Sequence, residues 1–341
     1  MAKSRSAPTL DDVAKMAGVS TATVSRCLNS PDRVVKATRE RVQSAVDALG
    51  YTPNFAARVM AAKRSFTIGA IIPTMENAIF ARGLQAFQEE LHQRGYTLLV
   101  SSSAYKPEIE EEQIRTLIAR GADGLLLIGH DRDPEIYDFL DQRNIPALVA
   151  WSYLPDSKLP SVGFDNRAAM FDLASHVIGL GHTRIGVISA RVDGNDRARL
   201  RVQGIREAVA DRGLEANNLT VIETSYEIEN GAKAFSDLMN ATTPPTAILC
   251  GNDVLAAGAL RQAQKMGLDV PGDVSITGFD DIELARIVSP ALTTVHVPHR
   301  EMGHKAALQL IEMVENQTAG TGEQLATRIV NRPSLGKPAS G

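Results

Sequence analysis

The chain of 341 residues has two cysteines, Cys27 and Cys250, far apart in sequence. They offer neither a disulfide framework nor metal-ligand spacing. Both lie in apolar-patterned segments, where a free cysteine is usually a small core residue. Aromatic residues are only 5% of the total, with one tryptophan, Trp151. No apolar run approaches the roughly 20 residues needed to cross a bilayer. The N-terminal stretch MAKSRSAPTLDDVAK has no leader-type hydrophobic region, so a cytoplasmic location is expected. Catalytic signatures are missing too: no Walker loop, no strand-placed G-x-G-x-x-G, no H-E-x-x-H and no nucleophile elbow. The seven histidines are scattered, with His182 in a Leu-Gly-His turn and His296 at a strand end. Neither an enzyme, a cofactor nor a metal site is expected.

The composition that remains is globular, with 44% apolar and 22% charged residues. The formal net charge is −4, which alone argues against a nucleic-acid partner. Its distribution reverses that reading. Residues 1–64 carry 11 Lys/Arg against 5 Asp/Glu, whereas the rest carries 25 against 35. A small basic head on a larger acidic body fits a protein whose head alone meets a polyanion.

Thr9-Leu10-Asp11-Asp12 reads as a helix start, with Thr9 as N-cap and Asp12 at the capping-box position. Val13, Ala14 and Ala17 give the helix an apolar face. Gly18 ends it, since the turn needs a residue that tolerates positive φ. Ser20 can cap a second helix from Thr21 to about Leu28, with Val24 and Leu28 inward and Thr21, Ala22, Ser25 and Arg26 outward. Two short helices around such a turn make a helix-turn-helix, whose second helix enters the major groove. A third helix, from about Lys36 to Leu49, has the stripe Val42, Ala45, Val46 and Leu49. An ordinary three-helix surface module is the bland alternative.

Thr9-Leu10-x-Asp12-Val13-Ala14, Ala17-Gly18-Val19-Ser20, Thr23-Val24-Ser25-Arg26 and Thr38-Arg39-x-Arg41-Val42 resemble the head of the lactose-repressor (LacI/GalR) family. Gly50-Tyr51-x-Pro53-Asn54 and Ala56-Ala57-Arg58 are similar to the family's join to its hinge helix. The resemblance implies that Thr21, Ala22 and Arg26 face base edges, where Arg can grip a guanine and Thr or Ala a thymine methyl. It places Thr9, Ser20, Thr23, Ser25, Asn29, Arg33 and Thr38 toward phosphates, with Asn54 and Ala57 in the hinge contact. The family wedges a hinge leucine between base pairs. Met60 stands at that position, and its roles are an apolar wedge or simple hinge packing.

Residues 54–64 are Ala-rich and too short to be a stable isolated helix. From Phe66 onward, apolar runs alternate with amphipathic stretches, twice over. Strand–helix alternation of this kind predicts parallel sheets with right-handed crossovers. The expected class is α/β: a three-helix helix-turn-helix head plus a periplasmic-binding-protein-like core of two doubly wound parallel-sheet lobes. The expected domains are a head at 1–53, a hinge at 54–65 and a core at 66–341. The lobes are expected at about 66–152 plus 297–316, and 161–290 plus 323–335. The chain should cross between lobes near Ser152–Ser161, near Ser289–Val297 and near the C-terminus.

The resemblance extends through the core, in Gly163-Phe164-Asp165-Asn166, Leu180-Gly181-His182, Gly251-Asn252-Asp253, Gly278-Phe279-Asp280-Asp281 and Pro290-x-Leu292-Thr293-Thr294-Val295. It implies a small-molecule effector in the cleft, gripped by the Arg of Arg201-x-x-Gly204. A guanidinium suits vicinal hydroxyls or a carboxylate. Asp280 can accept from hydroxyls, and Asn252 can both donate and accept. Trp151 and Tyr226 can wall a sugar ring. Asn77 and Phe80 would close the near side, and His299 either lines the cleft or starts a helix. The plainer readings are a surface role for Arg201, helix capping for Asp280, and packing for Trp151 and Tyr226. A narrower likeness to the gluconate-repressor branch rests on Ala104-Tyr105-Lys106-Pro107-Glu108-x-Glu110, Val162-Gly163-Phe164-Asp165-Asn166 and Ser189-Ala190-Arg191-x-Asp193. With Arg191, Arg197, Arg199 and Arg201, it implies a sugar acid as well as a sugar.

The expected protein is thus a homodimeric repressor on near-palindromic operator DNA, controlled by a sugar or sugar acid, with no membrane partner. A tail without leucine heptads argues against a tail-built tetramer. The alternatives are a periplasmic-type sugar-binding protein, or a regulator that binds a phosphoprotein rather than a small effector.

Overall fold

The computed structural model describes residues 7–29, 31–52, 64–76 and 78–339. The chain divides into two compact units, 1–65 and 66–341. In the head, α1 spans Leu10–Ala17, α2 Thr21–Asn29 and α3 Lys36–Leu49. The capping box forms: Asp12 N–H donates to Thr9 Oγ1 at 3.3 Å, and Thr9 N–H to Asp12 Oδ2 at 2.9 Å. Gly18 closes α1 at φ 62, left-handed as the turn requires. Ser20 Oγ accepts from Thr23 N–H at 3.1 Å and so starts α2. Val13, Ala14, Ala17, Val24, Cys27, Val42, Ala45 and Tyr51 share one buried core. That small cluster fixes α2 on the other two helices.

The second unit contains two parallel sheets. The first takes β1 (Thr67–Ile72), β2 (Thr97–Ser102), β3 (Gly124–Ile128), β4 (Ala147–Ala150) and β5 (Ser161–Gly163). A late strand, β11 (Glu323–Gln324), completes it in the order β11-β5-β4-β3-β1-β2. The second sheet has β6 (Ile185–Ala190), β7 (Leu219–Thr224), β8 (Ala247–Cys250) and β9 (Ser275–Thr277), in the order β7-β6-β8-β9. Between the strands run α4 (Ala78–Gln93), α5 (Pro107–Ala119), α6 (Pro134–Gln142), α7 (Asn166–Gly179), α8 (Asp196–Asp211), α9 (Ile228–Met239) and α10 (Asp253–Lys265). A short α11 (Leu284–Ile287), strand β10 (Thr294–His296), α12 (His299–Asn316) and β12 (Arg328–Val330) follow.

Both faces of each sheet are covered, which is why the strands read as continuous apolar runs. In β1, Ile68, Ala70 and Ile72 pack into one core and Ile71 into another. In β6, Ile185 and Val187 face one side and Ile188 the other. The glycine of Arg201-x-x-Gly204 has a packing reason. A Cβ on Gly204 would lie 2.2 Å from Arg167 O, so α8 seats on the bare backbone of α7.

One lobe boundary needs correction. Ser161–Gly163 pairs with β4 in the first sheet, through Val149↔Ser161 and Ala150↔Val162. Glu323–Gln324 joins the same sheet on β5. The first crossing therefore comes after Gly163, not between Ser152 and Ser161, and residues 323–324 belong with the first lobe. Strands of two or three residues are too short to show periodicity. The antiparallel pair β10–β12 belongs to the second lobe, since Asp280 bridges His296.

Candidate functional site

On the head, Thr21, Ala22, Arg26 and Arg33 are exposed, whereas Thr23, Ser25 and Thr38 are half-buried. Val24 and Cys27 point inward, so α2 presents the side expected from its pattern. The hydroxyls of Thr9 and Ser20 are engaged in the caps described above, so a phosphate would share them. Asn54, Ala57, Met60 and Asn77 lie outside the described residues, as does the side chain of Asn29.

In the core, the polar candidates gather beyond the carboxyl ends of parallel strands, where open sheets bind ligands. Asn252 follows β8, Asp280 follows β9, Tyr226 follows β7, and Trp151 follows β4. Arg201 reaches in from the second turn of α8. Its Nη1 donates to Gly251 O at 2.6 Å and its Nε to Asn166 Oδ1 at 2.8 Å. Its guanidinium lies 3.7 Å above the Phe279 ring, with Phe164 and Phe279 stacked at 5.9 Å. Nη2 stands 3.7 Å from Asp280 Oδ1, an ion-pair distance rather than a hydrogen bond.

Asp280 is fully buried, and neither carboxylate oxygen has a hydrogen-bond partner among the described residues. Burial pushes its carboxyl up to about 6, against the pull of Arg201. Its backbone is unusual as well: Asp280 has φ 102 and Asp281 φ 54. Left-handed non-glycine residues cost about 1–3 kcal/mol each and persist where their surroundings over-determine them. Here Asp280 N–H donates to Val295 O at 2.9 Å, and Ile282 N–H to Asp253 Oδ2 at 2.9 Å. Asp281 is tied to His296 at 2.8 Å and to Arg332 at 2.5 Å. Asp253, fully buried, is raised to about 8 by burial and then by Asp280.

The opposite wall comes from the first lobe. Trp151 packs edge-on against Phe80, with ring centroids 5.4 Å apart. Trp151 Nε1–H donates to His299 Nδ1 at 3.2 Å, which leaves His299 Nε2–H to donate to Asp280 O at 3.2 Å. Burial lowers His299 to about 4, so the ring stays neutral and keeps this tautomer. Asn252 uses Oδ1 to cap α10, while its buried Nδ2 has no partner among the described residues. Tyr226 meets Tyr105 of the first lobe, with centroids 5.9 Å apart.

The structure thus brings Phe80, Trp151, Arg201, Asn252, Asp280 and His299 into one neighbourhood, with Tyr226 at its edge. Sequence reasoning passed over Asn166, whose Nδ2 also donates to Trp151 O at 3.0 Å, and the two stacked phenylalanines. Their signal was present in the motifs Gly163-Phe164-Asp165-Asn166 and Gly278-Phe279-Asp280. The basic run divides differently from the expectation of an acid-binding cluster. Arg197 pairs with Asp196 at 2.8 Å, and Arg199 with Asp131 at 2.6 Å. Arg191 is exposed. No described helix is long and apolar enough to cross a membrane, and no described group of His, Cys, Asp and Glu could hold a metal ion.

Comparison with known proteins agrees with both units. Residues 9–54 match the bacterial regulatory proteins of the lacI family, and residues 174–335 match the periplasmic binding protein-like domain. The chain is 37% identical to the HTH-type transcriptional repressor CytR of Escherichia coli (strain K12), over 95% of this chain and 94% of that one. It is 33% identical to the HTH-type transcriptional repressor PurR of Photobacterium profundum, over 91% and 92%. Among solved structures, a LacI family regulator from Silicibacter pomeroyi superposes with a TM-score of 0.86 at 27% identity, covering 96% and 99%. The Lac repressor bound to ONPG gives 0.85 at 27%, covering 97% and 100%.

Proposed function

The chain belongs to the LacI family of bacterial regulatory proteins and is a DNA-binding transcription regulator; from that premise, we propose that its core senses a neutral, hydroxyl-rich molecule of the sugar type around Asp280 and Arg201. The observation that carries this reading is the Asp280 carboxylate, buried with neither oxygen hydrogen-bonded among the described residues. Buried polar groups are normally hydrogen-bonded, and an orphaned pair marks a place for a donor. Vicinal hydroxyls supply two donors without adding charge. A carboxylate ligand would set like charge against Asp280, and two of the four arginines considered for it, Arg197 and Arg199, are spent on Asp196 and Asp131. Asn252 Nδ2, without a hydrogen-bond partner among the described residues, adds a donor for a ligand oxygen, and Trp151 and Phe80 add apolar wall. A sugar acid is therefore disfavoured.

Head and core act together in this reading. Two heads of a cytoplasmic homodimer bind a near-palindromic operator as a repressor, with Thr21, Ala22 and Arg26 at base edges. Effector binding shifts the population of lobe arrangements, and by linkage effector and operator change each other's affinity equally. The chain binds its effector without turnover. Titration calorimetry with neutral sugars, free and as glycosides, beside the matching aldonates tests the effector class. Binding confined to neutral ligands and lost in Asp280→Asn is expected; tight aldonate binding would overturn it. For the head, fluorescence anisotropy on the DNA upstream of its own gene is expected to show preference over scrambled DNA. Equal affinity for both would refute operator recognition.

A further inference from the structure

A second set of contacts joins the lobes away from Asp280. It sits where the loop after β3 meets the first turn of α8. His130 N–H donates to Asp196 Oδ2 at 3.0 Å. Asp131 takes Arg199 in a fork, with Nη1 and Nη2 each 2.6 Å from a carboxylate oxygen. Arg197 Nη1 donates to Ile128 O at 3.1 Å while holding Asp196 Oδ1 at 2.8 Å. Arg132, buried, pins the loop from behind through Ile128 O, Gly129 O and Glu110.

Gly129 explains how the two sides come so close. It has φ +72, and a Cβ there would lie 1.7 Å from Arg197 Nη1 and 2.2 Å from Asp196 Oδ1. The charged pair thus rests on bare backbone of the other lobe. Only bidentate, partly desolvated pairs of this kind rise above the small worth of ordinary surface ion pairs. Arg201 lies one turn further along the same helix, so one rigid element carries both the seam and the cleft arginine.

We propose that Asp196, Arg197 and Arg199 latch the two lobes together against Ile128–Asp131, and that release of this latch sets how often the cleft opens to its ligand. The gating role rests on the reading that the effector binds around Asp280 and Arg201; the latch itself does not. The other interlobe ion pair among the described residues, Arg82–Glu283 at 3.2 Å, is exposed on both sides and serves as a control.

Hydrogen–deuterium exchange on the full chain, with no small molecule added, reads the latch directly. The reporter is the peptide holding the His130 amide. Arg199→Gln is expected to speed its exchange roughly threefold, the scale of a part-exposed ion pair. The reversed pair, Asp131→Arg with Arg199→Asp, should restore protection, and 0.5 M salt (about a 4 Å screening length) should bring wild type toward the variant. Arg82→Gln should leave the peptide unchanged. Arg197→Met, which removes the Ile128 O bond, provides a second variant should Arg199→Gln fold poorly by circular dichroism. Unaltered exchange in both latch variants, or an equal change in Arg82→Gln, would overturn the latch. A protein that shows the latch but binds no neutral sugar refutes the effector reading alone.

Discussion

Replacing Asp280 with asparagine removes a buried negative charge and keeps the shape. In the folded protein the carboxyl is pushed from 3.8 up to about 6. Each pH unit is worth about 1.4 kcal/mol, so the ionised group costs the fold up to about 3 kcal/mol. Arg201 already pulls the carboxyl downward, so its attraction is contained in that figure. The sign follows from linkage. A carboxyl raised by folding carries its penalty fully above pH 6, loses it gradually as pH falls, and has none below 3.8. Asp280→Asn should therefore be more stable than wild type at pH 7.5, by about 1–3 kcal/mol or a few degrees in Tm. The advantage should shrink toward zero near pH 4. Effector binding should be lost throughout, since the amide keeps one acceptor oxygen where the carboxylate has two and turns an NH2 donor toward the second hydroxyl. Thermal and denaturant unfolding across pH 4–8 is the assay. A stability difference independent of pH, or a variant less stable at pH 7.5, would refute the reasoning. Gain of stability with loss of binding is the trade expected where a site is held strained for a ligand.

Other perturbations test other parts. Effector affinity in wild type should fall as pH drops below about 6, where Asp280 becomes protonated, and calorimetry at pH 7.5 and 5 checks it. Gly204→Ala should cost about 1–3 kcal/mol by forcing α8 off α7, and should weaken effector binding through displaced Arg201; an unchanged Tm would contradict the close packing. On the head, Arg26→Ala should cost about 1–3 kcal/mol of operator affinity and relax specificity at one position, whereas Arg33→Ala should weaken all DNA evenly and reduce the salt slope by about 1. Anisotropy titrations at several salt concentrations separate the two.

Much of the architecture was written into local pattern. The caps Thr9 and Ser20, the turn glycine Gly18 and the period of Val42 and Ala45 define three helices before any tertiary contact is known. Buried strands such as Ile68–Ile72 and Ile185–Ala190 announce themselves because a sheet covered on both faces needs apolar residues in every position. Motif spacing placed Asn252 and Asp280 at strand ends, where the fold concentrates binding groups, and Arg201 on the helix that reaches toward them. The three-residue strand Ser161–Gly163 escaped, because so short a segment has no period and its partner strand is supplied from a distance.

Charge gave the sequence its clearest statement and also the one that depends most on arrangement. The excess of Lys and Arg within residues 1–64 identified the part that meets DNA, since a net field depends on composition more than on arrangement. The run Arg191, Arg197, Arg199, Arg201 suggested an acidic ligand, yet pairing depends on what another lobe brings alongside. Only the folded chain sets Asp131 against Arg199 and lays Arg197 on Ile128 O, and leaves the Asp280 oxygens without a hydrogen-bond donor among the described residues. The sequence by itself determined the kinds of residue at the candidate site and the strand ends and helices that carry them. The tertiary structure alone decided which charges were already satisfied, because satisfaction is a matter of distances between segments far apart in the chain.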